Sequence, residues 1–292
     1  MKISVHTAYL VLLFALAAVG TILPPLHGCS YYSTPLEERP YHPLYDSLKP
    51  TGIVGHGYGI VGSLMILIGV SLYSSRKRLR VFASAGKIKY YLEFHIFLCL
   101  LGPILVVYHT TFKIGGLVAV SFWSMTAVVL SGLIGRYFYV QIPKGIQGNE
   151  LSVGELMAEN KKLAEALTTR FQLDADILRR IDAIASPPKD PAKMSMTEAM
   201  NFFLVNDLTR RARLRTVFER LERQGYHRHV LRTLRATATR RIVLTRRIAL
   251  LQQFRMIFHY WHVVHLPFSI VMVVILLIHV AVAIAFGYTW VF

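Results

Sequence analysis

Five apolar runs divide the chain. TAYLVLLFALAAVGTIL (residues 7–23) comes first, followed by 53–73, 90–112, 115–140 and 257–287. A helix needs roughly 20 apolar residues to cross a bilayer, so each run predicts a membrane span. The stretches between them differ in kind. Residues 24–52 mix prolines, tyrosines and charges, which predicts an extramembrane loop with little regular structure. Residues 74–89 carry SSRKRLR and then Lys87 and Lys89, and residues 141–256 contain no run of membrane length. The fold class expected is an all-α membrane protein. Residues 1–140 supply spans one to four with the loop 24–52, residues 141–256 form a basic helical insert, and residues 257–292 form span five and the carboxyl end.

Inside the insert the periodicity is helical. Ser152 and Glu155 have the spacing of a capping box, opening a helix over about 150–185. SPPKDP at 186–191 interrupts it, because proline has no N–H to continue the ladder. Helix resumes from Ser195 to Gln224, with Gly225 as the stop, and from 226 onward it is expected to run unbroken into span five.

Charge fixes an orientation. The chain has 292 residues, with Lys+Arg 33 against Asp+Glu 16 and 54% hydrophobic residues, and a mean hydropathy of +0.44. The segment 76–89 holds six basic residues and no acidic one, whereas the loop 24–52 has Arg39 and Lys49 against Glu37, Glu38 and Asp46. Basic loops stay on the cytoplasmic side. The expectation is a multi-pass protein of a bacterial inner (plasma) membrane, amino end cytoplasmic and carboxyl end outside. The first run also has the look of a signal peptide's apolar core behind Lys2, but it is read as a retained span. LHGCS (26–30) is a poor lipobox, with His27 in its middle and Pro24–Pro25 before it.

Chemistry enters with histidine. Cys29 and Cys99 stand far apart, so no CxxC or CxxCH motif exists, and covalent haem or a cysteine-held metal cluster is not expected. Span three instead carries His95 and His109, and span five carries His265 and His279, each pair fourteen residues apart. Fourteen helical steps of ~100° return a side chain to within about 40° of its starting face, and the rise is roughly 21 Å. Spans three and five run in the same direction. His95 and His265 therefore fall near the inner face, and His109 and His279 near the outer one. Ionisable residues inside a membrane are rarely without a role. Two imidazoles at each of two depths suit two six-coordinate haem irons.

Other residues are weighed against plainer roles. Arg136 and Lys113 are candidates for contacts with the inner and outer haem propionates, beside ordinary interfacial anchoring. His262 and His56 are alternates as ligands. His262 lies ~100° around the helix from His279, and His56 opens span two in GHGYG. Pro103 and Pro267 have the chance to kink their helices around a porphyrin. Glu93 begins span three as a headgroup residue or a proton carrier for a quinone. The five glycines of span two, Gly55, Gly57, Gly59, Gly62 and Gly69, permit close helix packing.

The paired histidines on two parallel spans, with one span between, make the chain resemble two-haem b-type transmembrane cytochromes. These include the membrane core of the ferric reductase and NADPH oxidase families and the bc-type cytochrome b. The resemblance covers spans three to five. It implies non-covalent haem b and electron transfer across the membrane. The chain differs from the oxidases in lacking flavin and nicotinamide domains and a sixth span, and from the bc type in lacking a PEWY-like motif. Both differences point to redox partner proteins, or quinone, as donor and acceptor. Membrane lipid is a further partner, given the basic residues before span five. Nucleic acid is not expected, because few aromatics interleave the basic runs. Two other functions fit the same residues: a haem- or metal-dependent membrane sensor or scaffold signalling through the insert, and a proton- or metal-coupled transporter.

Overall fold

A computed structural model describes residues 4–82, 85–116, 118–143 and 151–288. The described residues are helical and contain no strand. The elements are α1 (Val5–Ser33), a 3-10 turn (Arg39–Tyr41), α2 (Tyr45–Leu48), α3 (Ile53–Arg78), α4 (Ile88–His109), α5 (Val118–Tyr139), α6 (Val153–Glu165), α7 (Ala175–Ala185), α8 (Met196–Arg223), α9 (Arg228–Ala249) and α10 (Leu251–Ala285). Among the described residues, five stretches are long and apolar enough to cross a membrane: Val5–Ser33, Tyr45–Arg78, Ile88–His109, Ala119–Tyr139 and Leu251–Ala285. That is the character of a membrane protein. The described residues form two compact units, one within 1–133 and 263–292, the other within 134–262.

In the first unit, the loop expected at 24–52 is more ordered than its composition implies. Helix α1 continues through Pro24 and Pro25 to Ser33, and its dihedrals leave the helical region at Gly28 (φ −115°, ψ 18°). The prolines withhold two N–H donors from the turn before them, and the departure at Gly28 lies just past them. A Cβ at Gly28 would stand 2.6 Å from the Tyr32 ring. Beyond it, Arg39 is buried and anchors the turn. It donates from Nε to Thr34 O (2.9 Å), from Nη2 to Tyr32 O (2.9 Å) and from Nη1 to Thr111 O. Polar composition alone does not reveal such a side chain.

Helices α3 and α4 pack backbone to backbone. A Cβ at Gly62 would lie 2.6 Å from Gly102 O, and one at Gly102 would lie 2.7 Å from Gly62 O. Only glycine at both positions lets the helices approach so closely. Both α4 and α10 continue through their prolines, Pro103 and Pro267. Ile66, Met125 and Met272 form the buried apolar cluster that joins α3, α5 and α10, with Val70, Val106, Phe122 and Val273 around it.

The second unit has two apolar clusters. Ile177, Ile181, Leu214, Phe218, Leu221, Leu234 and Ile242 join α7, α8 and α9, and Phe138, Leu156, Phe203, Leu250 and Phe254 form the other. The amphipathic spacing of the insert buries these residues. The Ser152–Glu155 capping box forms, and a second one, Ser195–Glu198, opens α8. Gly225 stops α8 at φ +87°. The helix does not pass unbroken into span five: Leu250, at φ −104° and ψ 14°, separates α9 from α10 while its own side chain is wholly buried.

Two expectations follow. Gly102→Ala adds a methyl against a backbone carbonyl. Overpacking costs about 1–3 kcal/mol, more than the gain of up to ~1 kcal/mol from better helix propensity. The melting midpoint of the detergent-solubilised protein should fall, and an unchanged midpoint would refute the close packing. The second concerns Glu198. Lys189 Nζ (2.8 Å) and the Ser195 backbone N–H (3.0 Å) bind its carboxylate and lower its pKa from 4.5 to about 2. A depressed carboxylate stabilises the fold fully above its unfolded pKa, and that contribution is lost as pH falls through the folded pKa. Stability should therefore decline between about pH 4.5 and 2, and Glu198→Gln should flatten that part of an acid-unfolding curve.

Candidate functional site

Three contacts along α3 and α4 share one register. Gly55 meets His109, Gly62 meets Gly102, and Gly69 meets His95. The sums 55 + 109, 62 + 102 and 69 + 95 are all 164, as expected of an antiparallel pair. On both helices the contacts recur every seven residues. A heptad repeat keeps two helices facing each other along a seam.

This register sets the protonation of two imidazoles. His95 Nδ1 lies 3.0 Å from Gly69 O, and His109 Nδ1 lies 2.9 Å from Gly55 O. A carbonyl oxygen only accepts, so each Nδ1 carries the proton and each Nε2 keeps a lone pair. The imidazole of His109 also needs Gly59, where a Cβ would be 2.7 Å from Nδ1. Tyr73 stacks on His95, with centroids 5.1 Å apart at 29°. Cys99 Sγ lies 3.5 Å from the same nitrogen.

On α10, His265 Nδ1 is 2.7 Å from Ser131 Oγ of α5. The same hydroxyl also lies 2.9 Å from Val128 O. His95 and His109 thus share one arrangement, an Nδ1 proton fixed by a carbonyl oxygen, and His265 has its Nδ1 bonded to a hydroxyl. Gly132 lies beside His265, and a Cβ there would reach ordinary contact, 3.8 Å from Cε1. His279 lies close enough to His109 and His56 to couple electrostatically with both. The ring of His56 is 6.1 Å from that of His109, nearly perpendicular to it. The structure therefore brings His109, His279 and His56 into one neighbourhood. Among the described residues, no three side chains of His, Cys, Asp or Glu gather as a cage for a bare metal ion.

The remaining residues named from sequence are placed as follows. Lys113 is exposed, four positions past His109. Arg136 lies over the Tyr139 ring at 5.5 Å. His262 is next to Trp261, with centroids 5.9 Å apart, and His259 is exposed beside Tyr260. Glu93 pairs with Lys89 (3.7 Å) and His6 (3.6 Å).

Sequence reasoning missed the partners of the imidazoles: the carbonyls of Gly55 and Gly69, the hydroxyl of Ser131 and the ring of Tyr73. One signal was present. Gly55, Gly62 and Gly69 are spaced by seven, as are His95, Gly102 and His109. No protein-family model, curated protein or solved structure matches the chain.

The tautomers can be measured. A neutral hydrogen bond is worth about 1 kcal/mol net, enough to favour one tautomer about fivefold. Nitrogen-15 NMR of histidine-labelled protein without added cofactor, well above the ordinary imidazole pKa of about 6.5, should find His95 and His109 protonated at Nδ1. Predominant protonation at Nε2 would rule out the carbonyl lock.

Proposed function

We propose that the chain is a membrane-integral cytochrome b. It holds two non-covalent haems, one between His95 and His265 and the other between His109 and His279. It passes single electrons between partner proteins, quinone, or both. The observation that carries this reading is the pair of backbone carbonyls, Gly69 O and Gly55 O, that hold the Nδ1 protons of His95 and His109. An imidazole fixed in this way presents Nε2 to a metal, and a bond from the other ring nitrogen is the usual support of a histidine ligand. Two such rings fourteen residues apart offer two ligand positions on one helix face.

The donor set fits haem better than a bare ion. Haem iron would need only two protein ligands, whereas a structural zinc needs four. His109 and His279 make up such a pair at one depth. His265, its Nδ1 hydrogen-bonded to Ser131 Oγ, is the ligand proposed at the other. Bound there, haem would supply reversible one-electron exchange. The protein's own task is to orient the imidazoles, keep them neutral and exclude water. The apolar seam of Ile66, Met125 and Met272 serves the last of these. On this reading Lys113, Arg136 and His56 are candidates for propionate contacts. The basic loop 76–89 and the insert face the cytoplasm, by the positive-inside rule.

An absorption spectrum of the purified protein tests the proposal. Reduction by dithionite should give the sharp α-band of low-spin haem b, with two haems per chain. His109→Ala or His279→Ala should each remove about half of that band and leave the other haem, on the two-ligand requirement. A protein that carries no haem when expressed with ample haem supply would end this reading. Loss of both haems, or of neither, would reject the pairing.

A further inference from the structure

The second unit contains a groove that the electron-transfer reading does not use. It encloses about 720 Å³ between α6, α9 and the chain just after α5. Its floor is apolar, with Leu151, Leu156, Val243 and Leu244, and its rim carries Arg232, Arg235, Arg240 and Arg247. One carboxylate, Glu159, also lines it and is paired with Arg240. Arg235 rests over the Phe218 ring at 5.1 Å, and Arg247 Nε reaches the neutral Gln141 at 3.4 Å. Among the described residues, no carboxylate lies within ion-pair distance of Arg232, Arg235 or Arg247, although Asp207 acts on Arg247 from further off. Burial lowers the pKa of Arg247, and the like charges of Arg246 and Arg210 lower it further, against a smaller opposing effect of Asp207. An anion is what this rim lacks.

We propose that the groove is a binding site for an anionic phospholipid, its phosphodiester held by Arg232, Arg235 and Arg247 and its first acyl carbons lying on the leucine and valine floor. Three observations support a lipid. The combination of cationic rim and apolar floor complements an amphiphile, where a free anion would need the rim alone. The volume falls within the range of small-molecule sites, roughly 300–1,000 Å³. Pro143, which forms one wall, is four residues past the end of α5, and Gln141, which holds Arg247, is two residues past it. That end of the groove therefore lies where a span leaves the bilayer, at the level of the headgroups. Basic pockets next to spans attract anionic headgroups for the same reason. The proposal does not depend on haem.

Native mass spectrometry of the full-length protein in detergent micelles doped with lipid provides the test. Wild type should retain phosphatidylglycerol at least tenfold better than phosphatidylcholine. The triple variant Arg232→Gln, Arg235→Gln, Arg247→Gln should lose that preference to within about twofold. Ala236→Trp fills the groove from an exposed position without changing any charge, so it should lose the preference too, and it guards against misfolding of the triple variant. Phosphatidylglycerol retained by both variants as by wild type would overturn the proposal. So would its displacement by an equal concentration of inorganic phosphate, which would indicate a simple anion site, or by decaglutamate, which would indicate a protein-docking groove.

Discussion

Everything proposed for the membrane unit depends on how closely two helix backbones approach. Where Gly62 of α3 meets Gly102 of α4 there is no room for a Cβ on either side. That contact fixes both the separation and the register of the pair. One heptad to either side, the same register brings a carbonyl of α3 to an imidazole of α4. The hydrogen bonds are individually modest. Helix packing holds their geometry, and the packing exists because glycine occupies the seam. In hydrocarbon there is no water to serve as an alternative partner for either group, so an imidazole proton left without its carbonyl would be costly.

The sequence made this half of the architecture partly legible. Hydropathy located the spans, because a bilayer imposes length and apolarity on any helix that crosses it. The histidine spacing was visible for the same reason that the seam exists, since seven-residue steps return to one face. The partners were harder to read. A glycine says only that something comes close. A serine inside a span usually satisfies itself on its own helix, and Ser131 does so through Val128 O. Its second contact, with His265 Nδ1, appears only when α5 and α10 are placed together. Arg39 was hidden in another way. It looked like one charge in a polar loop, yet it satisfies three backbone carbonyls from a buried position. One of them belongs to Thr111, which with Phe112 adopts positive φ (48° and 63°) at the end of α4. Nothing in the local sequence marks that turn.

The insert shows the reverse balance. Its caps, its glycine stop and its proline break were readable because they rest on local rules, but the single helix expected over 150–185 is two: α6 ends at Glu165, a π turn covers Ala166–Arg170, and Gln172 at φ +48° turns the chain before α7 begins at Ala175. What composition concealed was the fate of its many arginines. Arg246 is 1% exposed, lies over the Phe203 ring at 4.2 Å, and bonds Asn206 and Asp207 at 3.1 Å each. A buried charge is tolerated only with partners of this kind. So the insert's basic residues are of two sorts. Some are consumed by the fold, and others, such as Arg232, are left on its surface.

The carbonyl lock has a consequence for the order of events during synthesis. Helices α3 and α4 are neighbours in the chain, so their seam closes a short loop at little entropic cost. The opposing imidazole of each proposed pair lies much further along, since 265 − 95 and 279 − 109 both equal 170. One wall of each pair, with its ring already turned and its proton already placed, can be complete while most of the insert has yet to be made. The later helix then meets a prepared surface, and only one ring of each pair remains to be ordered.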